Sequence, residues 1–172
     1  MPDPRDNPTF RRALLGLNGG PSDSLVTHAA CELAKASKAD LVAVHVVEVD
    51  WRHSLTEVIP GSHERASAIL DLAETTAERH RVSMTTTLLQ ARDVGAALVD
   101  EAVAVQADLI ILGLPYRTRF GGDFRFGSVV PYVLQNAPMA VWITRSPVPA
   151  AAVAAAGAAG HGAGGASARQ GR

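Results

Sequence analysis

Hydrophobic and polar residues alternate along the chain in two different rhythms. Five short runs predict strands, because they are largely apolar or, in one case, rich in threonine: residues 13–17, 41–47, 82–89, 109–112 and 139–144. Four segments with apolar residues spaced by three or four predict helices: residues 24–38, 62–80, 94–105 and 128–136. The predicted order is therefore β-α-β-α-β-α-β-α-β. This alternation predicts an α/β fold, a parallel sheet with helices on both faces.

Short polar residues stand at two of the predicted helix starts. Asp93 precedes the third helix, while Ser22, Asp23 and Ser24 surround the start of the first. Side chains of this kind accept hydrogen bonds from the free amides of a first helical turn. We therefore expect Asp93 to cap the third helix and one of the other three to cap the first.

The composition changes sharply near the C-terminus. Of the 23 residues from 150 to 172, 17 are Ala or Gly, and large apolar side chains that could dock on a core are missing. Such a segment is predicted to be disordered. We expect a flexible N-terminus at residues 1–9, one domain at residues 10–147 and a disordered Ala/Gly-rich tail at residues 148–172.

Charge and cysteine content narrow the function classes. Lys and Arg total 16 against 17 Asp and Glu, so no basic field favours nucleic acid. The one cysteine, Cys31, excludes an internal disulfide framework and is expected to be a small buried residue of the first helix. No secretory signal is recognisable, and the longest apolar runs are too short to span a bilayer. A cytoplasmic protein is the expectation.

Common catalytic and metal-binding motifs do not occur in the sequence. We find no GxxxxGK[ST], GxGxxG, GxSxG or HExxH pattern. The residues His53, His63, His80 and His161 have no metal-ligand spacing, and His45 is expected to be a core or strand-end histidine. We therefore predict neither a metal site nor a catalytic residue.

Two glycine-containing loops are candidates for ligand binding. One is the NGGPS run at residues 18–22, after the first strand, and the other spans residues 113–128, after the fourth. In a doubly wound parallel sheet, ligands bind beyond the carboxyl ends of the strands, where the strand order reverses. Both loops are predicted to lie at that edge.

The second loop has the composition of a phosphate site. Gly113 ends a strand, where the missing side chain lets a ligand or backbone approach. The loop ends at Gly127 and Ser128, and their amides, with that of Val129, are predicted to converge on an anion at a helix start. Three arginines lie between these ends: Arg117, Arg119 and Arg125. The alternative, which composition leaves open, is an ordinary connection in which Ser128 only caps a helix.

The sequence contains the runs LLGLNG, LAKASKADLVAVHVV, ADLIILG and GSVVPYVLQNAPMAVWI. Together they resemble the universal stress protein family over about residues 12–145. The late motif of the family's nucleotide-binding members is Gly, two residues, Gly, nine residues, Gly, then Ser or Thr. Here Gly113, Gly127, Ser128 and Val129 match its ends, whereas Tyr116 replaces the second glycine and the segment is one residue longer. This version is similar to stress-protein domains found alone or fused to amino-acid permeases.

The resemblance implies an open, Rossmann-like five-stranded sheet of order 3-2-1-4-5, of the adenine nucleotide alpha hydrolase-like type. It implies a homodimer through the last strand, residues 139–144. It also places adenine between the ends of the first two strands, near Asn18, Gly19 and Val46, with Gly113 and Tyr116 bordering the ribose. The acidic residue usual after the first strand is replaced by Asn18.

Three functions remain as alternatives. The favoured one is a dimeric sensor or regulator that binds ATP, AMP or a cyclic dinucleotide, with Mg²⁺ only beside ATP and with slow, incidental turnover at most. The second is a ligand-free interaction module that dimerises and docks a partner such as a transporter. The third is a hydrolase or transferase at the same loop, for which the sequence nominates no side-chain base.

Overall fold

Five strands and four helices alternate along the chain in the predicted order. The structure, a computed structural model, describes residues 10–57, 60–114, 127–145 and 147. All of these except Pro147 belong to one compact unit, and Pro147 belongs to a second. The strands are β1 (Arg12–Leu17), β2 (Asp40–Glu48), β3 (Met84–Ala91), β4 (Leu109–Leu114) and β5 (Ala140–Arg145). The helices are α1 (Asp23–Ser37), α2 (Ser62–His80), α3 (Val94–Ala104) and α4 (Val129–Asn136).

The strands form one parallel sheet of order β3-β2-β1-β4-β5. Crossovers in parallel sheets are right-handed, so connections that proceed toward β3 and toward β5 leave helices on opposite faces. The predicted α/β class and the strand order implied by the family resemblance are both confirmed.

Two hydrophobic clusters fill the two sides of the sheet. One unites Leu15 and Leu41 with residues of α1 and α2, such as Val26 and Leu70. The other unites Leu14 and Val44 with residues of α3 and α4, such as Leu98 and Val133. Because successive strand residues point to opposite faces, the continuously apolar strands supply both cores.

One predicted feature of α1 differs in part from the structure. Two rows of residues spaced by four predict the apolar stripe of this helix: Leu25, Ala29, Leu33 and Val26, Ala30, Ala34. The second row is buried, whereas Leu25 and Leu33 of the first are exposed. Thr27 and Cys31 complete the buried side of α1. The buried face of α1 is therefore narrower and more polar than the sequence suggested.

The third strand begins two residues later than predicted. Arg81 adopts a left-handed backbone conformation (φ 59°) at the end of α2. The amide of Val82 donates to the carbonyl of Ala77 at 3.0 Å. This helix-terminating turn takes up the residues before β3.

Several predictions fall on residues outside the described ranges. These are the flexible N-terminus at residues 1–9 and the disordered tail at residues 148–172. Within the described ranges, no helix combines the length and the apolar character needed to cross a bilayer.

Candidate functional site

A notch opens at the carboxyl edge of the sheet above β1. The last residue pair of β1 with β2 is Leu17 with His45, whereas β2 continues to Glu48. On the other side, β1 and β4 pair no further than Gly16 with Leu112, whereas β4 continues to Leu114. Both neighbouring strands, β2 and β4, therefore extend past the end of β1. Since β1 leads into α1 and β4 leads toward α4 on the opposite face, the notch is the topological switch point of the sheet.

The loop after β1 is held by its own polar groups. The carboxylate of Asp23 accepts hydrogen bonds from the amides of Asn18 (3.1 Å) and Gly19 (2.7 Å). The side-chain oxygen of Asn18 accepts one from the amide of Gly20 at 2.8 Å. Gly19 has φ 79°, a conformation that disfavours residues with a side chain. These amides are therefore satisfied within the loop, and Asn18 offers a ligand its remaining amide group and its carbonyl.

Asp23 was expected as one of three candidates to cap the first turn of α1. Its carboxylate instead accepts hydrogen bonds from amides of the loop after β1. Ser22, at the N-cap position of α1, makes no side-chain capping bond. Burial raises the pKa of Asp23, while its hydrogen bonds from Gly19 and Asn18 and the nearby His45 act in the opposite direction. The prediction for the third helix is confirmed, because Asp93 accepts a 2.9 Å bond from the amide of Ala96.

His45 lies within β2, where it is the last residue that pairs with β1, and it borders the notch on the β2 side. Its Nδ1 lies 2.9 Å from the carbonyl oxygen of Leu17. Because a carbonyl only accepts, Nδ1 carries the proton and donates it. The next residue, Val46, lies just beyond the last β1–β2 pair, with its side chain in the core beneath α3 and α4. The backbone of Val46 therefore borders the notch beside Asn18.

Gly113 borders the notch on the β4 side. A Cβ atom added there would lie 2.7 Å from Cβ and Oγ of Ser22 and 2.9 Å from Val26. The close approach predicted at Gly113 is thus made, on this face, by the start of α1. Ser22 is buried, and its Oγ has no hydrogen-bond partner among the residues that the structure describes.

The start of α4 is open. Gly127 and Ser128 are exposed and Val129 is half-buried. Among the described residues, a Cβ atom added at Gly127 would meet nothing within 4 Å, and Ser128 makes no side-chain capping bond. The first-turn amides and the Ser128 hydroxyl are therefore accessible to an anion.

The structure brings only part of the predicted site into one cavity. A cavity of about 760 Å³ lies between α1, α2 and the loop after β1, and Asn18 and Gly19 line it. The other described candidates lie elsewhere around the notch or on α4: Val46, Gly113, Gly127, Ser128 and Val129. The remaining candidates, Tyr116, Arg117 and Arg119, and the neighbouring Arg125 lie outside the described residues.

One cluster of polar side chains, formed by His28, Glu32 and His80, corresponds to no local sequence motif. Nδ1 of His28 lies 3.1 Å from Nε2 of His80, and Nδ1 of His80 lies 2.8 Å from a carboxylate oxygen of Glu32. The two histidines are 52 residues apart, so no local spacing signals their contact. Only the packing of α1 against α2 brings them together. No group of three or more metal-ligating side chains lies within the described part of the chain.

A match to a protein-family model establishes the family to which the chain belongs. The model of the universal stress protein family matches residues 9–145, which is most of the chain. The chain belongs to the universal stress protein family. No curated protein sequence matches it.

Solved structures share the fold of this universal stress protein domain. A universal stress protein in complex with cAMP is 23% identical, with a TM-score of 0.61, covering 79% of this chain and 97% of its own. One from Archaeoglobus fulgidus in complex with dAMP is 20% identical, with a TM-score of 0.61, covering 80% and 98%. One from Arabidopsis thaliana with AMP bound is 11% identical, with a TM-score of 0.58, covering 83% and 99%. At these identities the likeness establishes the fold, which the universal stress protein domain here shares over nearly its whole length.

Proposed function

We propose that this universal stress protein domain binds an adenine nucleotide at the carboxyl edge of its sheet and acts as a sensor or regulator. The observation that carries the proposal is the notch above β1, where β2 and β4 both extend past the central strand. Ligands of open α/β sheets bind in such crevices. Three solved members of the same fold hold cAMP, dAMP or AMP, which supports an adenine nucleotide as the ligand here.

Each described candidate residue has a role in this proposal. The base lies beside Asn18, Gly19 and the backbone of Val46, because these groups border the β2 side of the notch. The ribose lies near Gly113. Phosphate oxygens accept hydrogen bonds from the amides at the start of α4 and from the Ser128 hydroxyl, which are exposed and uncapped.

The proposed activity is binding rather than catalysis. Asp23 is the carboxylate of the loop after β1, and it already accepts hydrogen bonds from two backbone amides. Its position supports a structural task in the loop instead of proton transfer to a ligand. Mg²⁺ accompanies only ATP, as a counter-ion of the phosphates.

Isothermal titration with AMP, ATP·Mg²⁺ and cAMP tests the proposal. The variant Ser128→Asp places a carboxylate at the start of α4, where it repels phosphate and competes for the free amides. We expect wild type to bind at least one of the three nucleotides and Ser128→Asp to lose at least tenfold in affinity. Thr75→Asp is the control, because it adds the same charge at an exposed position of α2 that does not line the cavity beside Asn18. Absence of binding by wild type at millimolar nucleotide would refute the proposal.

A ligand-free interaction module is the second candidate. The loop after β1 favours it, because the amides of Asn18, Gly19 and Gly20 are satisfied without a ligand. In this case the protein dimerises and docks a partner such as a transporter, and Ser128→Asp leaves partner binding unchanged. The two candidates therefore differ in their response to one substitution.

We also propose that the protein is a homodimer through β5. Within the described residues β5 pairs with β4 alone, which leaves its second edge available to another strand. Light scattering during size-exclusion chromatography measures the assembly. A mass of twice the 18.0 kDa chain is expected, and a mass of one chain would exclude the dimer.

A further inference from the structure

The contact between His28 and His80 brings two ring nitrogens to a separation that two ligands of one metal ion can also have. The atoms His28 Nδ1 and His80 Nε2 are 3.1 Å apart, and the rings meet at an interplanar angle of 72°. A metal held by two imidazole nitrogens at about 2.0–2.1 Å subtends about 95–102° at this separation. That angle lies between the cis edge of an octahedron and the edge of a tetrahedron.

Glu32 fixes which nitrogen of His80 is available. Its carboxylate only accepts hydrogen bonds, so Nδ1 of His80 must carry the proton of the 2.8 Å contact. The neutral ring then presents the lone pair of Nε2 toward His28. A carboxylate that orients one ring nitrogen while the other binds metal is the usual support of a metal-ligating histidine.

We propose that His28 and His80 form a divalent transition-metal site that joins α1 to α2, with Glu32 as the positioning residue of His80. Neutral imidazoles are ligands of Zn²⁺, Ni²⁺ and Cu²⁺. When the ion binds, the proton on Nδ1 of His28 moves to its Nε2 through solvent, both rings stay neutral, and water completes the coordination. His28 is exposed, which gives the ion access from solvent.

The number of protein ligands limits the affinity of this site for metal. Two protein ligands hold a metal less tightly than the three or four of catalytic and structural zinc sites. The site therefore fills when free divalent metal rises, and it then fixes α1 and α2 along the 760 Å³ cavity that His28 also lines. The metal site therefore adjoins the loop of Asn18 and Gly19, whereas no residue of β4 or α4 takes part in it.

Thermal unfolding of the full chain with ZnSO₄ or NiSO₄ at pH 7.5 tests the proposal. At a metal concentration about ten times Kd, we expect the melting temperature of wild type to rise by roughly 3–6 °C. We expect His28→Asn and His80→Asn to lose this rise and His63→Asn to retain it. His63 also lies on α2 but takes no part in the cluster, which makes it the matched control. Because His28 is exposed, His28→Asn remains informative even if His80→Asn fails to fold.

Calorimetric titration supplies a second readout. Wild type should bind one Zn²⁺ per chain at this site, and Glu32→Gln should weaken binding by about tenfold or more. Equal metal binding by wild type and His28→Asn, or the absence of any metal-induced shift in wild type, would overturn the proposal. Neither result would bear on nucleotide binding, which is measured separately.

Discussion

Asp23 accepts a 2.7 Å hydrogen bond from the amide of Gly19, so the first residue of α1 fixes the loop that leads into it. The same carboxylate accepts a 3.1 Å bond from the amide of Asn18. This arrangement defines one wall of the notch before any ligand arrives.

Replacement of Asp23 should therefore loosen the loop. We expect Asp23→Ala to lower the free energy of unfolding by about 1–2 kcal/mol, because two backbone amides lose a charged acceptor. Asp23→Asn is the matched control, since its amide oxygen still accepts, and it should lose less than half as much. Urea unfolding followed by circular dichroism measures both. Equal losses in the two variants would show that the hydrogen bonds contribute nothing.

The buried carboxylate also predicts a pH dependence. Burial raises the pKa of Asp23 above its ordinary value of 3.8. Between that value and the raised native pKa, the folded chain binds more protons at this group than the unfolded chain does. The contribution of Asp23 to the free energy of unfolding therefore falls as pH rises through this window and is constant above it.

Asp23→Asn removes this titration and isolates its effect. The difference in unfolding free energy, wild type minus Asp23→Asn, should decrease from pH 3.8 upward and then level off. Denaturant titrations at half-unit pH steps give this difference. An increase with pH would mean that the hydrogen bonds outweigh burial.

The close packing around Gly113 predicts that any side chain at this position lowers the stability of the fold. In Gly113→Ala the new methyl group would lie 2.7 Å from Ser22 and 2.9 Å from Val26, and we expect a loss of about 1–3 kcal/mol in unfolding free energy. Gly127→Ala is the control, because no atom of the described residues lies within 4 Å of its new atom, and it should change stability by less than about 0.5 kcal/mol. The double variant Gly113→Ala with Ser22→Gly should recover part of the loss. Additive effects in the double variant would argue against the contact.

Cys31 should be chemically silent in the native protein. It is fully buried, and burial, reinforced by the negative charge of Glu32, raises the pKa of its thiol. Reaction with 5,5′-dithiobis(2-nitrobenzoate) should be at least about 100-fold slower for the native chain than for the chain in urea. Comparable rates in the two states would place the thiol at the surface.

The fold could be predicted largely from sequence because its pattern is local. Runs such as residues 41–47 are apolar on both faces, and residues 62–80 carry a stripe of helical spacing that coincides with α2. The strand order came from the family resemblance. The start of β3 was missed because the turn through Arg81 depends on a left-handed residue that its side chain does not announce.

The site was less predictable, because its decisive contacts join distant or unexpected groups. Asp23 resembles a helix cap in sequence, yet its carboxylate turns back to Asn18 and Gly19. The pair His28 and His80 depends on how two helices cross. The contacts of these polar groups follow from packing, which residue spacing does not encode.

Nucleotide binding at the notch is the central claim, and amide chemical shifts test it most directly. In ¹H–¹⁵N spectra titrated with AMP, we expect saturable shifts at Asn18, Gly19, Gly113, Gly127 and Ser128. Amides of Asp40 and Leu109, at the amino ends of β2 and β4 on the opposite edge of the sheet, should remain in place. Unchanged spectra up to millimolar AMP, ATP·Mg²⁺ and cAMP would contradict the claim, as would shifts confined to residues away from the carboxyl edge of the sheet.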